Sequence, residues 1–544
     1  MWITEIQHTI GPAGLFAIVG VGVLVIVLKI MKFVVRKGRK LFLFCVSLIS
    51  TLWNAALSHK DIQAWSKKHA GVVQFLQARF SRKSFWGLPV TFLAVGFIYA
   101  LLAFVGVVHS IATAGVFATA DVRIENLFFA FRSVPVTVFF LWVTILGAWQ
   151  VWIFILAGVS LILFASKYER FIVPLWVAVL GSQLVGLISK HEVHRLRPEG
   201  IAVYVERSFS FPSAHAILAV ALYGFLTYIA MHAARKWRHK IYLFFIGLTI
   251  IFLIGLSRLY VGVHYVSDVW GGYLLGFLWL VIGISLANWS KFHQHRRLQI
   301  SRLFHSKTAV RVSTVIAVIG MVSAYVYMGQ ANVRRMIAHT PTLPLEDHTT
   351  NSSLAIFSDG APQYSETILG NPQEPISFIV AASSENEFVR ALEQAGWLPA
   401  EHISSKTLIR LARIAATKGS YPTAPMTPSF WNQEVNDFGF QKPTPADSIE
   451  QRHHARFWRT PYIKETGNRI YVGTVSLDTH IKWFITHAIA PDIDSEREIL
   501  LGDLEKTGMV DHVSTVQFVA PRLGKNIFGD PFFTDGKTHV VELK

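Results

Sequence analysis

The 544-residue chain has a single cysteine, Cys45. An intrachain disulfide and a thiolate-rich metal site are therefore excluded. Acidic residues are scarce in one part only. The first 329 residues hold 9 Asp and Glu against 31 Lys and Arg, whereas the rest hold 25 against 20, so the net +17 divides into +22 and −5. A uniformly basic protein would point to nucleic acid. Here the excess belongs to the apolar part, where loop cations orient membrane helices, and no nucleic-acid partner is expected. Internal repeats and low-complexity tracts are missing. So is a basic segment ahead of the first apolar run, which starts near Ala13 and has Lys29 and Lys32 at its far end. That run reads as a retained anchor rather than a cleaved signal.

Apolar residues are what the chain has in plenty, at 52%. A bilayer-crossing helix needs about 20 of them in succession. Eight spans are expected: Ala13–Val34, Gly87–Val108, Pro135–Leu163, Phe171–Ser189, Ser213–Ala233, Ile241–Leu259, Val266–Asn288 and Val312–Met328. Leu41–Leu57 is a ninth, shorter and flanked by cations, and suits an interfacial or buried helix as well. The fold class is thus an all-α polytopic membrane bundle. A soluble α+β domain follows it, beyond a polar, Pro-containing linker, Thr340–Ser353. In that domain Ile376–Ala382, Arg469–Asp478, Ser514–Ala520 and Thr538–Lys544 read as strands. Ser383–Trp397 reads as a helix with a Ser N-cap and Glu387 in its first turn, and a second helix ends at Gly419.

With eight spans, the basic loops Arg36–Lys40, Ser166–Arg170, Ala234–Lys240 and Ser290–Lys307 all fall on the cytoplasmic side. The stretch Ser189–Gly200, which carries Lys190, His191, His194, Arg195 and Arg197, then lies outside, with Arg207 soon after. Topology does not favour cations there, so a functional anion site is the better explanation.

Three blocks at the outer span ends carry the chemistry. They are Lys190 with Arg197-Pro198; Pro212-Ser213-Ala214-His215; and Ser257-Arg258 with His264 and Asp268. Arg presents a planar fork to phosphate oxygens and Lys a point charge. Pro212 suits the first turn of a helix whose opening N–H groups, at Ser213 and Ala214, would face an anion. His264 and Asp268 are four apart, so on a helix they share a face, and the carboxylate could hold one imidazole nitrogen and aim the other. His264 is a candidate nucleophile and His215 a candidate proton donor. No metal is required.

At these residues the chain resembles the type 2 phosphatidic acid phosphatase superfamily, whose pattern is K-x6-R-P, P-S-G-H and S-R-x5-H-x3-D. The one departure is Ala214 in place of Gly. The resemblance implies a six-helix core over roughly Gly87–Asn288, lipid phosphate substrates and no cofactor. It assigns Lys190, Arg197, Ser213, Ala214 and Arg258 to phosphate binding, His215 as acid, His264 as nucleophile and Asp268 as its partner. Vanadium-dependent haloperoxidases share the cradle but are mainly soluble, which the spans here argue against. The stretches Arg452–Trp458, Val472–Asp478 and Asp492–Glu498 resemble an LssY-type C-terminal domain, and the N-terminal part holds at most a DedA-type remnant. The segments expected are 1–85 (anchor and basic segment), 86–289 (phosphatase-like membrane domain), 290–329 (basic loop and last span), 330–353 (linker) and 354–544 (C-terminal domain). The resulting expectation is a lipid phosphatase of the bacterial inner membrane, with its active site and C-terminal domain in the periplasm. That domain is a candidate for an unknown periplasmic partner. A phosphotransferase using the same intermediate, or a membrane anchor for a binding domain, are the alternatives. His191, His194 and Arg195 read as polar loop residues, partly neutralised by Glu192, Glu199 and Glu206. His453, His454, His480, His487, Asp492 and Asp494 read as solvated or structural polar groups rather than a metal site, their spacing matching no zinc pattern.

Overall fold

Inside a bilayer every backbone N–H and C=O must be satisfied within the chain, so long apolar runs become helices. The computed structural model describes residues 28–38, 40, 44, 47–48, 51, 55, 58–80, 86–293, 307–338, 347–403, 407, 409–411, 413–414, 419–448, 451–482, 486–526 and 529–544. The described residues fall into two compact units, one within 28–117 and 137–338 and the other within 118–136 and 347–544. The expected span Ala13–Val34, the ninth candidate Leu41–Leu57, the linker and the helix ending at Gly419 lie largely outside the described residues.

The first unit holds helices α1 (Leu88–Ala112), α3 (Val134–Ile145), α4 (Trp149–Ala165), α5 (Ile172–Val193), α6 (Ala214–Leu218), α7 (Phe225–Ala233), α8 (Trp237–Tyr260), α9 (Val266–His293) and α10 (Lys307–Ala338); α2 (Val116–Ala130) follows α1 in the chain. A π-helical stretch, Ala219–Gly224, joins α6 to α7 as one span. Six of the described helices are long and apolar enough to cross a membrane. Their outward faces are apolar, as at Phe92, Leu102 and Tyr327. The expected single span Pro135–Leu163 is broken instead. α3 and α4 bend by 48°, and three short-range bonds, Leu146 N to Val143 O, Gly147 N to Thr144 O and Ala148 N to Ile145 O, tighten the turn between them. Counted as one span, the pair brings the described total to seven.

Two glycines let α9 approach α6. A Cβ on Gly272 would lie 2.8 Å from Ser213 O, and one on Gly276 2.5 Å from Ile217 O. That approach brings the start of α9 against the start of α6, where Ser213 N donates to Asp268 O at 3.0 Å.

The second unit is built on a sheet. Its main strands are β1 (Phe378–Ala382), β2 (Phe438–Ser448), β3 (Gln451–Lys464), β4 (Arg469–Lys482), β5 (Val510–Gln517) and β6 (Lys537–Leu543). They are ordered β5-β6-β1-β4-β3-β2, antiparallel except for β6 with β1. Helices α11 (Glu385–Gln394) and α12 (Ile493–Lys506) belong to the same unit. Phe388 and Leu392 of α11 and Leu500 and Leu504 of α12 join one core with Phe378, Phe457, Tyr471 and Trp397. A second core, with Ile379, Trp458, Ile470 and Val472, lies on the alternate strand positions. The strands expected from sequence are present. α11 opens as expected on Ser384, whose hydroxyl accepts from Glu387 N, while Glu387 returns a bond to Ser383 N at 2.9 Å. No span is expected between Val108 and Pro135. That stretch contains α2, grouped with the C-terminal residues by an Arg123–Glu366 ion pair at 2.9 Å and an Asn126–Gln433 bond at 3.0 Å.

Candidate active site

α5, α6, α8 and α9 carry the three sequence blocks, and the loop 194–212 lies among their ends. α5 ends earlier than Pro198 would require. His194 closes it in the left-handed region (φ 51°, ψ 30°), its N–H donating to Lys190 O at 3.2 Å. Arg197 therefore belongs to the loop, four residues past the helix. Pro212 likewise precedes α6 rather than opening it, because Ser213 is the N-cap. The Ser213 N–H, expected to face an anion, is committed to Asp268 O. What Ser213 leaves to a ligand is its buried hydroxyl, which has no hydrogen-bond partner among the described residues.

His264 stands before α9, not on it, while Asp268 lies in the helix's first turn and accepts from Tyr265 N at 2.9 Å. The chain curls so that the pair still meet: His264 Nδ1 is 3.4 Å from Asp268 Oδ2. A third group lies with them. Ser210 Oγ donates to Asp268 Oδ2 at 2.5 Å and is 3.3 Å from His264 Nδ1. The other carboxylate oxygen takes Arg195 Nη1 at 2.7 Å, and the Arg195 guanidinium lies over the Tyr265 ring at 4.2 Å. Arg195, read from sequence as a loop residue, thus anchors Asp268. His191 and His194 are exposed, packed edge-on against Phe209.

On the opposite ring nitrogen, His264 Nε2 is 3.2 Å from Arg197 Nη1. Arg197 is fixed by Ser208 O at 2.6 Å, Val263 O at 2.5 Å and Glu206 at 2.6 Å. Arg258, fully buried in the last turn of α8, donates to Thr144 Oγ1 and Tyr204 OH at 2.6 Å each and pairs with Glu206. Lys190 is held by the carbonyls of Phe209 and Ser210. His215 is half-buried beside the break between α3 and α4, where a Cβ on Gly147 would lie 2.5 Å from its Cδ2. Only glycine leaves room for that imidazole.

Glu206 is the residue sequence reasoning placed wrongly. It neutralises Arg197 and Arg258 rather than the exposed histidines. Burial pushes its carboxyl up, but the guanidiniums of Arg258 and Arg197 outweigh this and hold it well below the ordinary range. It bridges the two guanidiniums. Burial also lowers His264, helped by Arg197 and Arg258, well below the usual imidazole range, so the ring is neutral with a free electron pair at neutral pH. Burial pushes Tyr204 up to about 12, keeping its hydroxyl protonated. Such a set, a neutral oriented imidazole against fixed guanidiniums with a second imidazole across the site, suits nucleophilic attack on a phosphorus or similar oxyanion centre.

In the C-terminal residues the His and Asp groups separate into pairs. His453 meets Glu496 at 2.6 Å, His454 meets Asp478 at 3.0 Å, Asp492 caps α12, and Asp494 pairs with Arg497. The His487 side chain lies outside the described residues.

Family models match in two places: the PAP2 superfamily over residues 171–292 and the LssY C-terminus over residues 359–538. Phosphatidylglycerophosphatase B of Bacillus subtilis (strain 168) is 38% identical over 106 residues, 19% of this chain and 52% of that protein. The chain thus spans about half the length of the curated relative it matches. Among solved structures, the first transmembrane PAP2 type phosphatidylglycerolphosphate phosphatase from Bacillus subtilis is similar at 25% identity, covering 37% of this chain and 98% of that one, with a TM-score of 0.33. Aquifex aeolicus LpxE is similar at 27% identity over 31% and 94% of the two chains, with a TM-score of 0.23. The chain is a membrane protein that carries a PAP2 superfamily domain, followed by an LssY C-terminal domain.

Proposed function

We propose that the chain hydrolyses a lipid phosphate or diphosphate through a phosphohistidine on His264, without a metal ion. The observation that carries this reading is the division of labour on the His264 ring. Nδ1 faces Ser210 and Asp268, and Nε2 faces the Arg197 guanidinium. In this reading Lys190, Arg197, Arg258, the Ser213 hydroxyl and the Ala214 N–H bind the phosphate. Nε2 attacks phosphorus, the bond to the lipid oxygen breaks, and His215 gives that oxygen a proton. Water then attacks the phosphohistidine, with His215 taking its proton, and free phosphate leaves. The catalytic segment is residues 86–289 and the C-terminal segment 354–544.

The basic loops support an orientation with the site and the C-terminal residues on the periplasmic side of a bacterial inner membrane. Substrates to rank are phosphatidylglycerol phosphate, which the name of the Bacillus relative supports, phosphatidic acid, undecaprenyl diphosphate and a lipid A phosphate. The test is phosphate release from this panel by the purified full chain in EDTA. Release should persist under chelation and vanish in His264→Gln. Release lost to EDTA would overturn the metal-free reading. Transfer to an added acceptor lipid in place of release would make the protein a phosphotransferase, and a phenotype indifferent to His264→Gln would make it an anchor.

A further inference from the structure

The three stretches that carry the LssY resemblance meet on the β3–β4 ladder. Alternate residues Arg452, His454 and Arg456 of β3 share one face, and Asp478, Ser476 and Thr474 of β4 stand directly opposite them in that order. Gln441 of β2 is opposite His454 on its other side. The intervening His453 turns to the other face and meets Glu496 of α12.

This row is polar and yet buried. Gln441, Arg452, His454, Thr474, Ser476 and Asp478 are each no more than 4% exposed. Arg456 is half-buried, keeping one end of the row open to solvent. His454 Nδ1 is 3.0 Å from Asp478 Oδ2. Arg452 Nη1 donates to a neutral group, Gln441 Oε1, whose amide is fixed in that sense because its nitrogen donates to Ala424 O, while Asp478 acts on Arg452 through its charge. The Nε atoms of Arg452 and Arg456 are hidden from solvent and meet no acceptor among the described residues. The other nearby acid, Glu374, is pushed up by burial, against which the Arg456 charge and a bond donated by Ser365 favour its ionised form. Burial keeps the His454 imidazole uncharged at neutral pH, so the row sets two guanidiniums beside Asp478 and Glu374 and leaves both Nε–H groups unmet among the described residues. Leaving a buried guanidinium N–H without an acceptor is unfavourable.

We propose that the Arg452–His454–Arg456 row is a binding site for a tetrahedral oxyanion, a phosphate group taken either free or as the end of a phosphomonoester. Guanidinium forks match such oxygens and repel cations, which argues against a metal. Ser476 and Thr474 stand opposite as hydroxyl donors. The site is independent of the one in the membrane half and stands whether or not that half is a phosphatase.

The test is hydrogen-exchange mass spectrometry on the full chain in nanodiscs. Inorganic phosphate, glycerol 3-phosphate, acetate and chloride are compared at equal ionic strength. Peptides from 451–464 and 469–482 report on this site, and those from 194–215 on the membrane half. Inorganic phosphate should protect the β3 and β4 peptides while chloride and acetate do not. Protection by glycerol 3-phosphate as well extends the ligand to esters. In Arg456→Gln the half-saturating phosphate concentration should rise roughly tenfold or more, as expected for losing a hydrogen bond between charges. Arg452→Gln should do the same, and because Arg456 is half-buried its variant stands even if Arg452→Gln fails to fold. No phosphate-dependent protection of these peptides, equal protection by acetate, or protection unchanged in Arg456→Gln would overturn the proposal.

Discussion

Ser210→Ala isolates the least expected part of the His264 arrangement. The Ser210 side chain is fully buried and links Asp268 Oδ2 at 2.5 Å to His264 Nδ1 at 3.3 Å, whereas the direct histidine–carboxylate distance is 3.4 Å. A hydrogen bond to a charged group contributes about 1.5–3 kcal/mol. Part of the orientation survives in the variant, because Asp268 keeps Arg195 at 2.7 Å and the Tyr265 N–H at 2.9 Å. If about half of that energy is expressed in the transition state, kcat falls roughly four- to tenfold. KM should stay within about threefold, since Ser210 meets the proposed phosphate-binding residues through its backbone carbonyl, 3.5 Å from Lys190 Nζ and retained by alanine. Asp268→Asn should cost far more, on the order of 10³-fold or beyond, by the logic of a misoriented imidazole. In that background Ser210→Ala should add little, because the two act on one bond. The assay is phosphate release from a short-chain lipid phosphate in micelles, with kcat and KM separated. A change in kcat below twofold, a loss carried by KM, or full additivity with Asp268→Asn would refute the reasoning.

Glu206→Gln removes the carboxylate that bridges Arg197 and Arg258, so inorganic phosphate or vanadate should inhibit at roughly tenfold lower concentration; inhibition unchanged would mean the bridge does not compete with ligand. Because burial, with Arg197 and Arg258, holds His264 well below 6.5, the ring stays neutral as pH falls through that value, and the acid limb of kcat/KM should lie below 6.5. A limb midpoint at or above 6.5 contradicts this. Burial lowers His454 to about 4 despite Asp478. Its unfolded form takes up a proton from about pH 6.5 downward while the folded form does not. The C-terminal residues should therefore be fully stable above 6.5 and lose up to about 3 kcal/mol as pH falls towards 4, a slope that His454→Gln should flatten in exchange-monitored unfolding. Gly147→Ala places a methyl group against His215 and should lower kcat at least about tenfold with the chain still folded; full activity would show that the bend has slack.

The spans and the three blocks were legible because each is a local signal: an apolar run, or a fixed spacing of charged side chains. The strands Arg469–Lys482 and Lys537–Leu543 and the capped helix after Ser384 were legible for the same reason. Contacts made across sequence distance were not. Glu206 meets Arg258 fifty-two positions away, and Thr144 meets it from more than a hundred. A clue did exist, since Glu206 is the sole acid between Glu199 and Asp268 in a strongly basic region. The break between α3 and α4 was hidden by uniform apolarity, with Gly147 as its one mark. α2 was missed because its apolar pattern is interrupted by Asp121, Arg123 and Glu125, which are buried in the second unit. The assignment of Arg195 failed for a simpler reason: a cation two residues from another looks redundant until its partner, Asp268, is known.

In the proposed function the phosphoryl group is transferred to His264. The most direct measurement is to mix the full chain with a lipid phosphate labelled at phosphorus, quench in alkali within the first turnover, digest, and locate the label. The account predicts an alkali-stable, acid-labile label on the peptide containing His264, undiminished by EDTA and absent from His264→Gln. Label on another residue, loss of label on chelation, or turnover that continues in His264→Gln would contradict it.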